Sequence, residues 1–195
     1  MNLVQEIQVK AEIAGQLTDW IAPAPGRRVT GAEVGVKQGR LSEQLLACIP
    51  SLTLFLVDWW RPAPAAGDYA QSGDPAANAD GPEVESWLDE AIRRTLPNYA
   101  RCRFVPCDSV RAARFVPDEW LDFVFLDADH SYESRLADLR AWAPKVRPLG
   151  LIAGGLFHSA FGGDCCERAL REWHRETARP FAVEHGPSKT WGFRR

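Results

Sequence analysis

Two nearly continuous apolar runs constrain the fold of this 195-residue chain more than any other feature. They cover residues 51–58 and 121–126, and each meets an acid at its carboxyl end, Asp58 in the first and Asp127 after the second. Runs of this length without polar alternation are typical of strands that are buried on both faces. We therefore expect a mostly parallel sheet with helices on both sides.

The rest of the chain alternates between strand and helix patterns. Apolar residues at helical spacing predict helices over residues 3–20, 42–49, 83–96, 132–142 and 164–177. Short β-prone runs predict further strands over residues 28–35, 102–107, 151–153, 181–184 and 190–194, with a turn at 148–150. This order predicts an α/β fold with a seven-stranded, mostly parallel sheet, helices on both faces and one C-terminal antiparallel strand.

Residues 61–82 differ in composition from the rest, being rich in Pro, Ala, Gly, Asp and Asn. The stretch is too long for a routine connection and too polar to form core, so we interpret it as a mobile lid or substrate loop. No internal repeat or interdomain linker is visible. The sequence therefore predicts a single domain over residues 1–195, with the N-terminal helix at 3–20 packed across it.

The charge balance and the cysteine usage exclude several classes of protein. The formal net charge is −3 and the isoelectric point about 5.8, so the chain lacks a basic footprint and we expect no nucleic-acid partner. No apolar run is long enough to span a membrane and no secretory signal is visible, so we expect no membrane partner. Five cysteines without CxxC spacing argue against a disulfide framework and a zinc site, which favours a cytoplasmic protein.

A glycine turn closes the predicted strand at 28–35. Glu33, Gly35 and Gly39 form the pattern Glu-x-Gly-x-x-x-Gly, in which the acid ends the strand and the glycines let the backbone pass close to a ligand. The alternative is that the glycines make only a tight strand-to-helix turn. Because the pattern is not Gly-x-Gly-x-x-Gly, a ligand without phosphates fits it better than a dinucleotide.

Acids also follow the next two predicted strands. Asp58 lies about twenty residues after the glycines, where a carboxylate can accept hydrogen bonds from both hydroxyls of a ribose; the alternative is an exposed acid that starts a loop. Asp108 and Ser109 are placed to bind an adenine amino group or to cap the following helix, and the two roles do not exclude each other. Trp59 and Trp60 suit either stacking against a ligand or plain packing.

These segments, in this order, resemble class I S-adenosylmethionine-dependent methyltransferases, and in particular their small-molecule O-methyltransferase branch. The resemblance covers nearly the whole chain. Its most specific part is the strand at 121–126 followed by Asp-Ala-Asp-His-Ser-Tyr at 127–132, with support from Lys-Thr-Trp-Gly-Phe at 189–193. The resemblance implies a Rossmann-like fold, S-adenosylmethionine as the cofactor and a small-molecule acceptor.

The resemblance also assigns individual residues. The residues expected to bind the cofactor are Glu33, Gly35, Gly39, Asp58, Trp59, Asp108, Ser109 and Asp127. Asp127 and His130 are expected nearest to the reacting centre. Methyl transfer to a hydroxyl needs removal of a proton, and an imidazole titrates near neutrality, so His130 is the preferred base and Asp127 the second catalytic candidate. The alternative is that Asp129 or His130 caps the following helix.

A divalent cation is a further possibility, because some relatives use the acid that corresponds to Asp127 as a metal ligand. Those relatives carry a His-Asp or Asp-Asp pair after the strand that corresponds to 151–154, whereas this chain has Gly155, Leu156 and Phe157. Since the second carboxylate is missing, metal dependence is doubtful and we assign no metal ligands. His158 is a weak candidate for a substitute.

The favoured function is methyl transfer from S-adenosylmethionine to a hydroxyl of a small molecule. Two alternatives from other classes stay open. One is a domain that binds the cofactor without transferring its methyl group, and the other is a nucleotide-binding or dehydrogenase-type module with the same strand order. The sequence does not name the acceptor, and the apolar face of the helix at 3–20 allows a homodimer.

Overall fold

The computed structural model describes residues 2–63, 68–71, 74–155, 164–180 and 182–195. Within them, seven strands form one sheet in the order β3-β2-β1-β4-β5-β7-β6, and only β7 runs against the others. This arrangement confirms the predicted fold class. The strands are β1 (Val29–Val34), β2 (Leu52–Asp58), β3 (Cys102–Pro106), β4 (Leu121–Leu126), β5 (Val146–Gly154), β6 (Glu184–His185) and β7 (Trp191–Arg194).

Helices cover both faces of the sheet. The first, second and fourth helices contribute apolar side chains to one core, which also contains Leu54 and Phe123. The last three helices contribute apolar side chains to a second core, which also contains Val124 and Ile152. All six residues of β4 are buried between these cores, as its apolar run predicted. The helices are α1 (Leu3–Ile21), α2 (Arg40–Cys48), α3 (Asp68–Gln71), α4 (Gly81–Thr95), α5 (Ser109–Ala112), α6 (Tyr132–Trp142) and α7 (Cys165–Glu176).

The strand order reverses beside β1, and a crevice opens there at the carboxyl ends of the strands. The chain passes from β1 to β2 on one side and returns to β4 on the other side of β1. Val34 pairs with both Val57 and Leu126, so these three strands end at the same level. In open α/β sheets, ligands bind outside the carboxyl ends of the strands at such a switch point.

Helix α1 packs over the sheet through its second half. Asn2 and Gln5 form a capping box at its start, and Ile13, Leu17 and Ile21 are buried in the first core. Ile7 continues the apolar spacing of this helix toward its start, but its side chain is 43% exposed. Helical spacing identifies a face, but the part of the face that is buried depends on where the neighbouring elements end. In the described part of the chain, no helix has the length and apolar character needed to cross a membrane.

The segment 61–82 contains more regular structure than its composition predicted. It includes α3, a 3-10 turn (Pro75–Asn78) and the start of α4. Ala77 and Ala79 are buried, and Ala79 joins the first core, so the interpretation of the whole segment as too polar for core is wrong. Small side chains can fill a shallow gap that composition alone does not reveal. Residues 64–67 and 72–73 lie outside the described residues, and a lid role for the segment stays a prediction.

Two predicted boundaries in the last third of the chain need correction. The expected turn at 148–150 lies inside β5, which begins at Val146 and is irregular where Leu149 has a φ of 63°. Backbone hydrogen bonds with the last residue support this irregular stretch, because Leu149 N donates to Arg195 O and Arg195 N donates to Gly150 O. The strand expected at 181–184 is instead the two-residue β6, and residue 181 lies outside the described part.

Candidate functional site

A cavity of about 580 Å³ lies at the carboxyl ends of the central strands, under α1 and under part of the segment 61–76. This volume lies within the usual range of small-molecule sites. Of the nine residues chosen from the sequence, Gly39 is not among the described residues that line it. The other eight line it together, namely Glu33, Gly35, Asp58, Trp59, Asp108, Ser109, Asp127 and His130.

The glycine turn after β1 runs tightly past β4. Gly35 has a φ of +92°, and a Cβ there would lie 2.5 Å from the backbone nitrogen of Ala128, so no other residue fits without a shift of the backbone. Gly39 has a φ of +72°, and a Cβ there would lie 2.9 Å from Cα of Ala91. Gly35 therefore shapes the cavity wall, whereas Gly39 permits close packing of the turn against α4.

Asp58 fastens this turn to the end of β2. Its two carboxylate oxygens accept hydrogen bonds from the backbone nitrogens of Lys37 (2.8 Å) and Trp60 (2.9 Å). The indole nitrogen of Trp60 donates to the carbonyl of Lys37 at 2.9 Å and closes the ring of contacts. Burial raises the pKa of Asp58, although the backbone hydrogen bonds oppose that effect. The backbone nitrogens of Val36 and Trp59 also favour the charged form of this carboxylate.

The two tryptophans after Asp58 have different surroundings. Trp60 is buried and packs against Phe104, with ring centroids 5.9 Å apart. Trp59 is 43% exposed and lines the cavity. The packing interpretation therefore describes Trp60, and Trp59 is the residue that is placed to contact a ligand.

Glu33 is a buried acid at the end of β1. It is 2% exposed, and the hydroxyl of Ser42 on α2 donates to its Oε2 at 2.5 Å. Burial raises the pKa of Glu33 to about 8, against the opposing effects of the Ser42 hydrogen bond and the charge of Lys10. A carboxyl group in this state is largely protonated at neutral pH and ionises when a cation approaches.

Asp127 forms an ion pair with a residue of α1. Lys10 Nζ donates to Asp127 Oδ2 at 3.0 Å, and both side chains line the cavity. Burial alone would raise the pKa of Asp127, but the charges of Lys10, His130 and Arg135 lower it overall. Gly155 makes room for this carboxylate, because a Cβ at Gly155 would overlap with Asp127 Oδ1. Asp127 is therefore held ionised in a fixed position.

His130 is buried and contacts charged groups through both ring nitrogens. Arg135 Nη2 lies 2.5 Å from Nδ1, and Asp74 Oδ2 lies 3.7 Å from Nε2. Burial and the charge of Arg135 lower the pKa of His130 to about 4, although Asp127 and Asp74 oppose this effect. Arginine has no acceptor atom, so Nδ1 accepts the hydrogen bond and the neutral ring carries its hydrogen on Nε2. The ring also makes a T-shaped contact with Tyr69, with ring centroids 6.5 Å apart.

The start of α6 explains the helix-cap alternative. Ser131 is the N-cap, and its hydroxyl accepts from Ser134 N. Asp129 supports the same turn by accepting from Ser131 N at 2.7 Å and from Ser134 Oγ at 2.6 Å. Asp129 therefore stabilises the helix start, and His130 takes no part in the capping hydrogen bonds that the structure describes.

Asp108 and Ser109 lie at the opposite end of the cavity, where the structure shows the helix-cap role and the adenine role stays a prediction. Asp108 caps α5 by accepting from Arg111 N at 3.0 Å, and it also lines the cavity. Ser109 Oγ donates to Asp138 Oδ1 at 2.5 Å and accepts from the indole nitrogen of Trp142 at 3.0 Å. Asp138 is buried and lines the cavity, and burial raises its pKa to about 7.

Sequence reasoning missed Lys10, Asp138, Arg135 and Gly155. Gly155 directly follows a strand and enters the sequence argument only as the neighbour of Leu156, where an acid is expected. The other three lie on helices, and their distance from the site depends on how each helix is oriented. Among the residues that the structure describes, no group of three or more His, Cys, Asp or Glu is placed to hold a metal ion. Residues 156–158, including Leu156, Phe157 and His158, lie outside the described residues, so metal dependence and a role for His158 remain untested.

The fold and the site define a Rossmann-like, cofactor-binding α/β enzyme domain. A family model described as "Methyltransferase domain" matches residues 32–158. The chain therefore belongs to this methyltransferase family and is an S-adenosylmethionine-dependent methyltransferase. A search of curated protein sequences finds no match.

Solved structures share the fold at low sequence identity. The calicheamicin methyltransferase CalS11 is 16% identical with a TM-score of 0.67, and 96% of this chain covers 79% of that one. The O-methyltransferase NovP is 18% identical with a TM-score of 0.59, with coverage of 97% and 77%. A precorrin-6y C5,15-methyltransferase from Geobacter metallireducens is 10% identical with a TM-score of 0.61, with coverage of 93% and 85%. At these identities the similarity concerns the fold alone.

Proposed function

We propose that this methyltransferase transfers the methyl group of S-adenosylmethionine to a hydroxyl oxygen of a small molecule. The observation that carries the proposal is a row of acids at the ends of four neighbouring strands, which are Asp108, Asp58, Glu33 and Asp127 in sheet order. Neighbouring strands are about 4.8 Å apart, so the row extends over about 14 Å. Carboxylates accept hydrogen bonds, and this cofactor is an elongated ligand that presents amino and hydroxyl donors along its length.

The residues of the cavity fit the cofactor in chemistry. Asp58 lines the cavity with a carboxylate that would accept from the ribose hydroxyls, and the tight turn at Gly35 allows the backbone to approach the ligand. Trp59 and Asp108 would hold the adenine, the first through its ring face and the second through its carboxylate. Glu33 and Asp127 would face the ammonium group of the methionyl end. When bound, the cofactor supplies a methyl group on a positively charged sulfur, which a hydroxyl oxygen attacks directly.

The contribution of the chain is then mainly to orient the two reactants. Positioning alone can account for a large share of the barrier reduction when two reactants are held in the reacting geometry. The polar groups on the acceptor side belong to Tyr69, Asp74 and His130, and all three line the cavity. We infer that the acceptor hydroxyl binds beside them.

The hydrogen bonds of His130 favour a positioning role over that of a base. Because Arg135 occupies Nδ1, the hydrogen on Nε2 is available to an acceptor oxygen or to Asp74. A base role would require Arg135 to leave Nδ1, and it therefore remains a prediction. The proton of the acceptor hydroxyl would pass to a carboxylate of the site or to water.

Support for an oxygen acceptor comes from the family resemblance of residues 127–132 and from the name of the structural neighbour NovP. The names of the other neighbours give different acceptors, so the fold by itself does not select one. Phenols, sugars and polyketide hydroxyls are the acceptor classes to compare.

The test is transfer of a labelled methyl group from S-adenosylmethionine to members of these three acceptor classes. The expected result is a methyl ether together with S-adenosylhomocysteine, and the matched control for each acceptor is the same compound with its hydroxyl already methylated. Binding of S-adenosylhomocysteine without transfer to any acceptor would favour a domain that only binds the cofactor. Binding of NAD in place of S-adenosylhomocysteine would favour a dehydrogenase-type module.

A further inference from the structure

The ion pair between Lys10 and Asp127 lies inside the cavity. Lys10 projects from α1, its side chain is about three-quarters buried, and its Nζ is 3.0 Å from Asp127 Oδ2. A lysine that only stabilised the fold would not need to reach a carboxylate at a ligand-binding edge of the sheet. Burying an ion pair removes both charges from water, which is unfavourable in free energy. The position of this pair therefore indicates a function beyond stabilising the fold.

The carboxylates around Lys10 would attract the ammonium group of a ligand equally well. The charges that raise the pKa of Lys10 against the effect of burial belong to Asp127, Glu33 and Glu6. A cofactor that ends in an amino acid carries an ammonium and a carboxylate on the same carbon. The ammonium would suit Asp127 and Glu33, but its carboxylate would then need a cation close to them.

Lys10 is the cation best placed to supply that charge. Other described cations near this end of the cavity have other contacts: Arg135 Nη2 lies 2.5 Å from His130 Nδ1, and Lys37 Nζ lies 4.8 Å from the ring centroid of Trp87. Arg40 lies with its Nε 3.2 Å from Glu6 Oε1 and its Nη2 3.6 Å from Glu90 Oε1. Arg40 is therefore already shared between two carboxylates through Nε and Nη2, and only its buried Nη1 has no described hydrogen-bond partner. Lysine carries its charge on a flexible four-carbon stem, so Nζ can turn from Asp127 to a neighbouring anion without movement of α1.

We propose that Lys10 binds the α-carboxylate of the cofactor, and that the Lys10–Asp127 pair opens to admit the zwitterionic end of the ligand between its two charges. The inference rests on the proposed binding of S-adenosylmethionine in this cavity. It gives α1, which lies outside the residues matched by the family model, a direct part in cofactor recognition. In the ligand-free chain, the same pair keeps both charges compensated.

The test is a calorimetric comparison of three ligands in wild type and in Lys10→Ala. The ligands are S-adenosylhomocysteine, its decarboxylated analogue, which keeps the amino group, and methylthioadenosine, which lacks the amino-acid end. Loss of a charge-assisted hydrogen bond should weaken S-adenosylhomocysteine about 10- to 100-fold and leave methylthioadenosine within about twofold. The decarboxylated analogue should bind unchanged or more tightly, because Asp127 loses a competing cation.

Two further variants distinguish loss of the carboxylate contact from a general loss of folding. Lys10→Arg should keep most of the preference for the carboxylate-bearing ligand. Lys145→Ala removes a comparable lysine outside the cavity, which pairs with Asp118 at 2.6 Å, and should leave all three affinities unchanged. Because the three ligands are compared within one variant, a general change in stability affects them alike.

Each remaining outcome decides against the proposal. Equal weakening of all three ligands in Lys10→Ala would make Lys10 a structural residue only. Tighter binding of S-adenosylhomocysteine would make it a competitor of the cofactor, and an unchanged affinity would remove it from the site. If wild type binds none of the three ligands, the proposed cofactor site fails first, independently of Lys10.

Discussion

The buried acid Glu33 should cost the ligand-free protein stability at alkaline pH, and the variant Glu33→Gln should remove that cost. Burial raises the pKa of Glu33 from 4.5 to about 8. A pKa that is higher in the folded state means that the folded protein holds the proton more tightly. The stabilising contribution is therefore complete below pH 4.5 and is lost as the pH rises through 8.

The size of the effect follows from the same two values. The full interval corresponds to at most about 5 kcal/mol at 1.36 kcal/mol per pH unit, and the part between pH 6 and pH 9 to about 3 kcal/mol. Glutamine keeps the shape of the side chain and an oxygen that can accept from Ser42, but it does not ionise. Glu33→Gln should therefore gain free energy of unfolding relative to wild type as the pH rises, and its advantage should grow by about 3 kcal/mol between pH 6 and pH 9.

Urea unfolding of both proteins at pH 6, 7, 8 and 9 measures this difference. With a typical dependence on urea, the difference between the two midpoints should grow by about 1 M from pH 6 to pH 9. Comparing the two proteins at each pH cancels other titrating groups, including Asp138, which is present in both. The control is Glu12→Gln on the exposed side of α1, which should follow wild type at every pH. A difference between Glu33→Gln and wild type that stays constant from pH 6 to 9 would refute the reasoning.

Three further predictions address the cavity wall, the ribose site and the histidine. Gly35→Ala should lower the free energy of unfolding by at least about 2 kcal/mol, because of its positive φ and the 2.5 Å approach to the neighbouring backbone; a smaller loss in urea unfolding would contradict that. Asp58→Ala should weaken S-adenosylhomocysteine at least about 100-fold in calorimetry, and an unchanged affinity would remove Asp58 from the ribose site. His130 should show no titration between pH 6 and 8 in imidazole NMR spectra, since its pKa is about 4, and a midpoint near 6.5 would exclude the described contact with Arg135.

The sheet and most of the site could be predicted because both depend on strand ends. A buried strand shows as an unbroken apolar run, and the residue that follows it must lie at the carboxyl edge. This reasoning brought Asp58, Asp108 and Asp127 into one cavity although 69 positions separate the first from the last in the numbered sequence. The glycine turn had the same advantage, since Gly35 also follows a strand directly.

The residues on helices could not be placed in this way. Lys10 and Asp138 reach the cavity only because α1 and α6 pack with particular rotations, and helical spacing does not determine which polar side chain then faces a ligand. The tautomer and the hydrogen bonds of His130 depend on Arg135, which lies 5 residues further along the sequence. Its selection as a base used only the ordinary pKa of an imidazole, whereas burial and a neighbouring guanidinium change that value.

The measurement that tests the central claim most directly is a calorimetric titration of the wild-type chain with S-adenosylhomocysteine and, separately, with NAD. The account predicts one bound S-adenosylhomocysteine per chain and no heat of binding with NAD. Saturable binding of NAD together with no binding of S-adenosylhomocysteine would contradict it.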